Sequence, residues 1–140
     1  MKITNIDSAE WEEGSGDTGR WSELKLPFQK LGVRVESLEP GSKSSHHHYH
    51  TKEEEHLLVL SGQATLHMDS GDYSLSAGDH VFFPAGSTDA HHIENTSTEA
   101  FKYLVFGERR SDDVVVYPKA GKKLLKDGEI RLVDLESRGD

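Results

Sequence analysis

Residues 41–62 read GSKSSHHHYHTKEEEHLLVLSG, and they determine most of what the sequence predicts about this chain. Five of the nine histidines fall within eleven residues of this stretch. Side chains alternate between the two faces of a β-strand, so His48 and His50 project to the same side. By the same rule, Glu55 shares a face with Leu57. The stretch therefore predicts two imidazoles and a carboxylate on the interior face of a sheet.

These groups are costly to bury without compensation, and a divalent cation is the simplest compensation for neutral imidazoles beside a carboxylate. Residues 78–95, GDHVFFPAGSTDAHHIEN, bring a second histidine pair, His91 and His92, after a Pro-Ala-Gly turn. A fourth ligand from this pair would complete a set of three histidines and one glutamate. Such a set leaves one or two octahedral positions for water or substrate.

Two spacings in the sequence carry a resemblance to a known family. The first is G-x6-H-x-H-x4-E-x6-G, formed by Gly41, His48, His50, Glu55 and Gly62. The second is G-x5-P-x-G-x4-H-x3-N, formed by Gly78, Pro84, Gly86, His91 and Asn95. In this order and separation they resemble the two motifs of the cupin superfamily. Relative to the usual patterns, the first has one extra residue after its glycine and the second has two before its histidine, both in turns where insertions are tolerated.

The resemblance implies an all-β protein built as a double-stranded β-helix, the jelly-roll barrel of the small single-domain cupins. It implies that one divalent metal is held by His48, His50, Glu55 and His91. His92 is a rival fourth ligand, and the spacing to the asparagine of the second motif favours His91.

The resemblance and the strand pattern together predict three regions. Residues 1–27 are interpreted as an N-terminal arm, 28–118 as the barrel and 119–140 as a C-terminal tail. Packing or exchange of N-terminal strands is common in small cupins, so the resemblance also implies a homodimer.

Short apolar segments with a period of two recur between turn signals, and none shows a helical period. From Leu31 onward, for example, Val33 and Val35 alternate with Arg34 and Glu36. The residues interpreted as core by default are Leu57, Val59, Leu66, Met68, Phe82, Phe83, Phe101, Tyr103 and Val105. This pattern favours a sandwich or barrel.

The remaining histidines and acids have simpler interpretations. His46 and His47 are interpreted as loop residues rather than ligands, and Glu53 and Glu54 as surface charges. His56 faces away from the predicted site, towards solvent or a subunit contact. The residues interpreted as exposed strand or turn residues are His67 and His80. No general base stands out, and the candidates for proton transfer are Asp89, Tyr103 and His92.

Bulk composition excludes several classes of function. A net charge of −9 argues against nucleic acid or an anionic membrane as partner. The chain has no cysteine, which excludes disulfides, thiolate ligands and a thiol nucleophile. No segment has the apolar length of a membrane span, and the first 16 residues lack a signal-peptide core. A cytoplasmic location is therefore expected.

Imidazole and carboxylate ligands suit Fe, Mn, Ni, Zn, Co and Cu alike, so the sequence does not distinguish the metal. Open coordination positions favour a metal-dependent enzyme acting on a small oxygenated metabolite, of dioxygenase, isomerase or lyase type. The main alternative is a non-catalytic cupin that binds or senses a small ligand. A third possibility is a metal that only stabilises the fold, and its removal would then unfold the domain.

Overall fold

The computed structural model describes residues 1–136, which form thirteen β-strands and no helix. The strands are β1 (Glu12–Gly16), β2 (Gly19–Lys25), β3 (Leu31–Leu38), β4 (Tyr49–His50), β5 (Glu55–Ser61), β6 (Gln63–Met68), β7 (Gly71–Ser76), β8 (His80–Phe83), β9 (His91–Glu94), β10 (Phe101–Glu108), β11 (Val114–Tyr117), β12 (Lys122–Leu125) and β13 (Arg131–Asp134). The all-β prediction is thereby confirmed.

The strands make three antiparallel sheets. A six-stranded sheet has the order β1-β2-β3-β10-β5-β8, a four-stranded sheet has the order β13-β12-β11-β4, and a three-stranded sheet has the order β7-β6-β9. One buried apolar cluster joins residues from β3, β5, β8 and β10 of the first sheet to residues from β6, β7 and β9 of the third. The core therefore lies between these two sheets, as expected for a jelly roll.

Gly62 makes the one-residue connection by which the chain passes from the six-stranded to the three-stranded sheet. Its φ is 87°, a conformation that favours glycine, and a Cβ there would lie 2.5 Å from the carbonyl oxygen of Ala100. The last residue of the first sequence motif therefore has a structural role, because only glycine permits this tight passage between sheets.

The two terminal regions also contain strands. Within residues 1–27, β1 and β2 form a hairpin whose second strand pairs with β3. In the C-terminal region, β12 and β13 form a hairpin beside β11, which in turn pairs with the short strand β4. The division into arm, barrel and tail stays a prediction, but both regions supply neighbours to strands that position the site.

Two assignments made from the sequence are wrong, each for a reason of packing. Phe82 is 48% exposed on the outside of β8, so it is not a core residue. Glu53, interpreted as a surface charge, is only 7% exposed. Its buried carboxylate accepts hydrogen bonds from Lys126 and from the Arg110 amide, which compensate the burial. His47 lies in a loop segment, as interpreted, but it is only 7% exposed and is buried against His92. No helix in the described part of the chain is long and apolar enough to cross a membrane.

Candidate metal centre

A cavity of about 420 Å³ opens within the barrel, and both sequence motifs contribute to its wall. His48 and His50 reach it from the short segment at β4, Glu55 from the start of β5, and His91 from β9. Leu57, two residues after the glutamate, is also on the wall. The alternation predicted from the sequence thus places its polar and apolar residues on one inward face.

His48, His50 and Glu55 form a group that could hold a metal ion. One potential ligand atom from each lies within 4.8 Å of the other two. Nε2 of His50 lies 3.6 Å from Oε2 of Glu55. Two imidazoles and a carboxylate at this spacing form a partial ligand set for a divalent transition metal.

Hydrogen bonds fix the orientation of both histidines. Nδ1 of His50 lies 2.8 Å from Oδ2 of Asp113, and Nδ1 of His48 lies 2.8 Å from the carbonyl oxygen of His46. Both partners only accept hydrogen bonds, so each neutral ring carries its proton on Nδ1 and keeps the lone pair of Nε2 free. An acceptor behind a ring nitrogen is the arrangement typical of metal-ligating histidines.

The carboxylate of Glu55 also fits a cation. Its Oε2 atom is fully buried and has no hydrogen-bond partner among residues 1–136. Burial raises the pKa of this carboxyl above its ordinary value, while His50 and Arg34 act in the opposite direction. An unpartnered buried carboxylate oxygen is costly, and a divalent ion would relieve that cost. The residues present therefore fit the metal that the sequence predicts.

His91 lies beside this group rather than inside it. Its backbone pairs with that of His48, and the two rings are 4.7 Å apart between centroids. The ring also stacks on Phe83, with centroids 3.7 Å apart and planes 10° apart. The fourth ligand stays a prediction, with His91 placed next to the other three.

The neighbouring residue His92 points the other way. Its Nδ1 lies 2.8 Å from Nδ1 of His47, and its ring lies 4.8 Å from that of His67. Because successive residues of β9 face opposite sides of the sheet, His91 lines the cavity while His92 contacts this other group of histidines.

The cupin domain model matches residues 34–107, which is more than half of the chain and includes both motifs. The chain belongs to the cupin family. Two solved structures resemble this cupin over 95% of its length, each with a TM-score of 0.85. One, from Acidithiobacillus ferrooxidans, is provisionally assigned as a sugar phosphate isomerase, is 34% identical and is covered over 90% of its chain. The other, from Silicibacter pomeroyi, is named a sugar phosphate isomerase of the cupin superfamily, is 28% identical and is covered over 92%.

A third structure, a protein from Thermotoga maritima named a predicted oxalate decarboxylase, is 24% identical and shares the fold. Its TM-score is 0.69, and the match covers 78% of this chain and all of that one. No functionally curated protein matches this cupin.

Sequence reasoning missed the role of Asp113. This aspartate is 0% exposed, and its carboxylate accepts hydrogen bonds from His50, from the amides of Lys52 and Glu53, and from Lys126. Burial raises the pKa of this carboxyl, but the hydrogen bonds overcome that effect and hold it well below its ordinary value. The signal in the sequence was weak, because only the pairing of β11 with β4 brings Asp113 behind the ligand.

Sequence reasoning also left Glu36 without a function. Arg34 and Glu36 line the cavity of this cupin, whereas Val33 and Val35 belong to the opposite face of β3. Arg34 Nε donates to Glu36 Oε1 at 2.6 Å, and the hydroxyl of Tyr103 donates to Glu36 Oε2. Burial, followed by the Glu36 charge, raises the pKa of Tyr103 well above its ordinary value, so the phenol keeps its proton. Alternation identified the two faces of β3 but not which one is the inner face.

The buried histidines predict an acid-sensitive fold in the metal-free cupin. Burial, with the neighbouring histidines, lowers the pKa of His91 to about 2, and burial lowers that of His48 to about 4. Folding favours the neutral forms of both histidines. Their contribution to the free energy of unfolding is therefore fully present above the unfolded-state pKa near 6.5, and it is lost as pH falls towards the folded-state values. We expect the urea midpoint to fall steadily from pH 6.5 to pH 4, and less steeply in His91→Gln. An unchanged slope in that variant would contradict the assignment, and His46→Ala, at an exposed histidine, is the control.

Proposed function

We propose that this cupin is a metal-dependent isomerase acting on a small phosphorylated sugar. Two structures that it matches over 95% of its length, at 34% and 28% identity, carry sugar phosphate isomerase as their name or provisional assignment. The residues in the cavity provide an independent argument. The observation that carries the proposal is a buried carboxylate–phenol pair, Glu36 and Tyr103, in the same cavity as the candidate metal ligands.

In this proposal His48, His50, Glu55 and His91 hold the divalent ion. When bound, such an ion supplies a Lewis acid that polarises a carbonyl or hydroxyl oxygen of the substrate. These ligand types suit Fe, Mn, Ni, Zn, Co and Cu, so the proposal does not commit to one metal.

Aldose–ketose isomerisation moves one proton between adjacent carbons and another between their oxygens, and it needs no oxidant or reductant. Glu36 is assigned to carry the carbon-bound proton, because its carboxylate lies in the cavity wall at 9% exposure. Tyr103 keeps its proton and donates to Glu36, which fixes the carboxylate. Arg34 brings a permanent positive charge to the same wall and suits an anionic substrate.

One observation favours a second candidate, a cupin that binds a small anionic ligand without turnover. Both oxygens of Glu36 already accept a hydrogen bond, one from Arg34 and one from Tyr103. If this arrangement persists with a ligand bound, Glu36 positions the arginine and phenol and moves no proton. The same cavity would then retain its ligand unchanged.

The two candidates differ in an exchange experiment. The protein, loaded separately with Fe(II), Mn, Ni, Co or Zn, is incubated in D2O with a panel of pentose and hexose phosphates and followed by proton NMR. We expect deuterium to enter the carbon next to the carbonyl, together with aldose–ketose interconversion. In Glu36→Gln both should fall by about 100-fold or more, as for loss of a general base. Glu39→Gln, an exposed glutamate beyond the end of the same strand, is the matched control.

Failure of every metal and every sugar phosphate to exchange would overturn the isomerase assignment. Saturable binding of one of these sugar phosphates without exchange would support the second candidate, a cupin that binds its ligand without turnover. Exchange that persists unchanged in Glu36→Gln would leave an isomerase but remove Glu36 from its mechanism.

A further inference from the structure

A second group of histidines and acids lies on the face of the three-stranded sheet that points away from the cavity. His67, His92 and Glu94 each bring a potential ligand atom within 4.8 Å of the other two. They alternate along their strands with Leu66 and Ile93, which belong to the core. Because the sheet separates them from the cavity, this group is not part of the inner site.

Two aligned strands create this group. In the pairing of β6 with β9, His67 lies opposite His92, and Glu94 is two residues further along the same face. Nε2 of His67 is 2.9 Å from Oε1 of Glu94, and the rings of the two histidines are 4.8 Å apart. Two ligands of one tetrahedral or octahedral ion, each about 2.0–2.1 Å from it, are themselves about 2.9–3.4 Å apart. The nitrogen and the carboxylate oxygen already have that spacing.

The hydrogen bonds behind His92 leave one of its ring nitrogens without a proton. Asp69 can only accept, so the 2.7 Å contact with His47 places the proton of His47 on Nε2. Nδ1 of a neutral His47 then accepts from Nδ1 of His92 at 2.8 Å. His92 consequently carries its proton on Nδ1 and keeps the lone pair of Nε2. His47 and His92 are both buried, whereas the Asp69 end of this relay is half exposed.

The other histidine is held by a carboxylate in the same way. Nδ1 of His67 lies 2.9 Å from Oδ1 of Asp72 on the neighbouring strand β7. Glu94 also only accepts, so a neutral His67, with its single ring proton, can donate to Asp72 or to Glu94 but not to both. With the proton on Nδ1, the lone pair of Nε2 faces Glu94, and a metal ion there would satisfy both atoms. Without a metal, a second ring proton does so, and the hydrogen bond to Asp72, with that to Glu94, raises the pKa of His67 above its ordinary value. A carboxylate behind His67, and a histidine that is itself held by Asp69 behind His92, resemble the partners that orient metal-ligating histidines.

We propose that His67, His92 and Glu94 form a second divalent metal site, suited to Zn²⁺ or a similar borderline transition metal, on the outer face of the three-stranded sheet. The ion would have two nitrogen ligands and one oxygen ligand, and water would complete its coordination. Asp72 and the pair His47 and Asp69 are positioning residues. Three carboxylates surround this group, those of Glu94, Asp72 and Asp69. They outnumber the two nearby lysines, Lys43 and Lys119, so the local charge favours a cation.

The outer site would be structurally coupled to the inner one. His47 directly precedes His48, and His92 directly follows His91. The backbones of His48 and His91 pair with each other at the edge of the sheet. An ion at the outer site would therefore fix the two segments that present inner-site histidines. The inference stands independently of the proposed isomerase activity, because it uses no residue assigned to that chemistry.

Zinc stoichiometry tests the proposal in tag-free protein that has been stripped with a chelator. The background is Glu55→Gln, which removes a ligand from the inner site. In this background we expect one zinc ion to bind with micromolar or better affinity. Adding His67→Ala and Glu94→Gln should abolish the binding of that ion. Asp72→Asn should weaken the same zinc by about 10-fold, since it removes only the partner of a ligand. Bound Co²⁺ should show the corresponding loss of its visible absorption.

The matched control is the double variant His56→Ala and His80→Ala. These two rings have their nitrogens 2.9 Å apart on the outside of the six-stranded sheet, so they are a histidine pair of similar spacing without the same carboxylates. The control should keep the full zinc stoichiometry. Two results would overturn the proposal. One is an unchanged zinc stoichiometry after His67→Ala and Glu94→Gln, and the other is a zinc affinity in the Glu55→Gln background no tighter than that of free imidazole. In the latter case His67 is joined to Glu94 by a ring proton and not by a metal ion. Thermal unfolding in chelator verifies that each variant is folded.

Discussion

Replacing Glu55 with glutamine is expected to make the metal-free protein more stable and to abolish its stabilisation by metal at the inner site. The reason is that Oε2 of Glu55 is a buried carboxylate oxygen without a hydrogen-bond partner among the described residues. A neutral amide costs less to bury, so the free energy of unfolding of the metal-free protein should rise by about 1 kcal/mol. The same change removes the only carboxylate of the predicted inner ligand set.

Affinity at the inner site should fall by at least about 100-fold in this variant, because losing even the partner of a ligand typically costs about 10- to 100-fold. Urea unfolding with and without saturating metal measures both effects. Glu54→Gln is the matched control, since Glu54 is adjacent and exposed. A metal-free Glu55→Gln protein that is less stable than the wild type, while metal affinity is unchanged, would show that this carboxylate is a structural group and not a ligand.

Replacing Asp113 with alanine is expected to have the largest effect on stability. Its fully buried carboxylate accepts hydrogen bonds from His50, from two backbone amides and from Lys126. Removing it leaves the ammonium group of Lys126, which also pairs with Glu53, without one of its two carboxylate partners. Breaking a buried charge pair in this way costs about 3–5 kcal/mol. The inner metal should also bind about 10- to 100-fold more weakly, because His50 loses the acceptor that orients its ring.

Asp112→Ala is the control for this prediction. Asp112 is next in sequence but exposed, and it forms an ion pair with Arg110 at the surface, where solvent screens the charges, so its loss should have little effect on stability. Chemical denaturation of both variants, followed by metal titration of the folded protein, separates the two effects. A stability for Asp113→Ala within about 0.5 kcal/mol of wild type would contradict the role that the structure gives to this aspartate.

The inner site was predictable from the sequence to the extent that it depends on strand alternation. Alternation placed His48 and His50 on one side of their strand and Glu55 with Leu57 on one side of the next, and the structure brings potential ligand atoms of all three within 4.8 Å of one another. Asp113 could not be found in this way. It lies 63 residues after His50, and only the pairing of β11 with β4 brings them into contact.

The outer face shows the same limit. His67 and His92 are 25 residues apart; His67 was interpreted as an exposed strand residue, and His92 as a rival ligand of the inner site. Their register across β6 and β9 places them opposite each other. His47 was interpreted as a loop residue rather than a ligand, and only the tertiary structure shows that it is buried against His92 in a hydrogen-bonded relay.

Local pattern and two motif spacings determined the all-β class, the family resemblance and the direction of the potential ligands within their own strands, since these depend on alternation along single strands. Tertiary structure alone decided which face of β3 lines the cavity, which side chains support the ligands, and that adjacent histidines of β9 serve opposite sides of a sheet. The physical reason is that hydrogen bonds and burial join residues distant in sequence, and their partners are chosen by strand register and sheet packing.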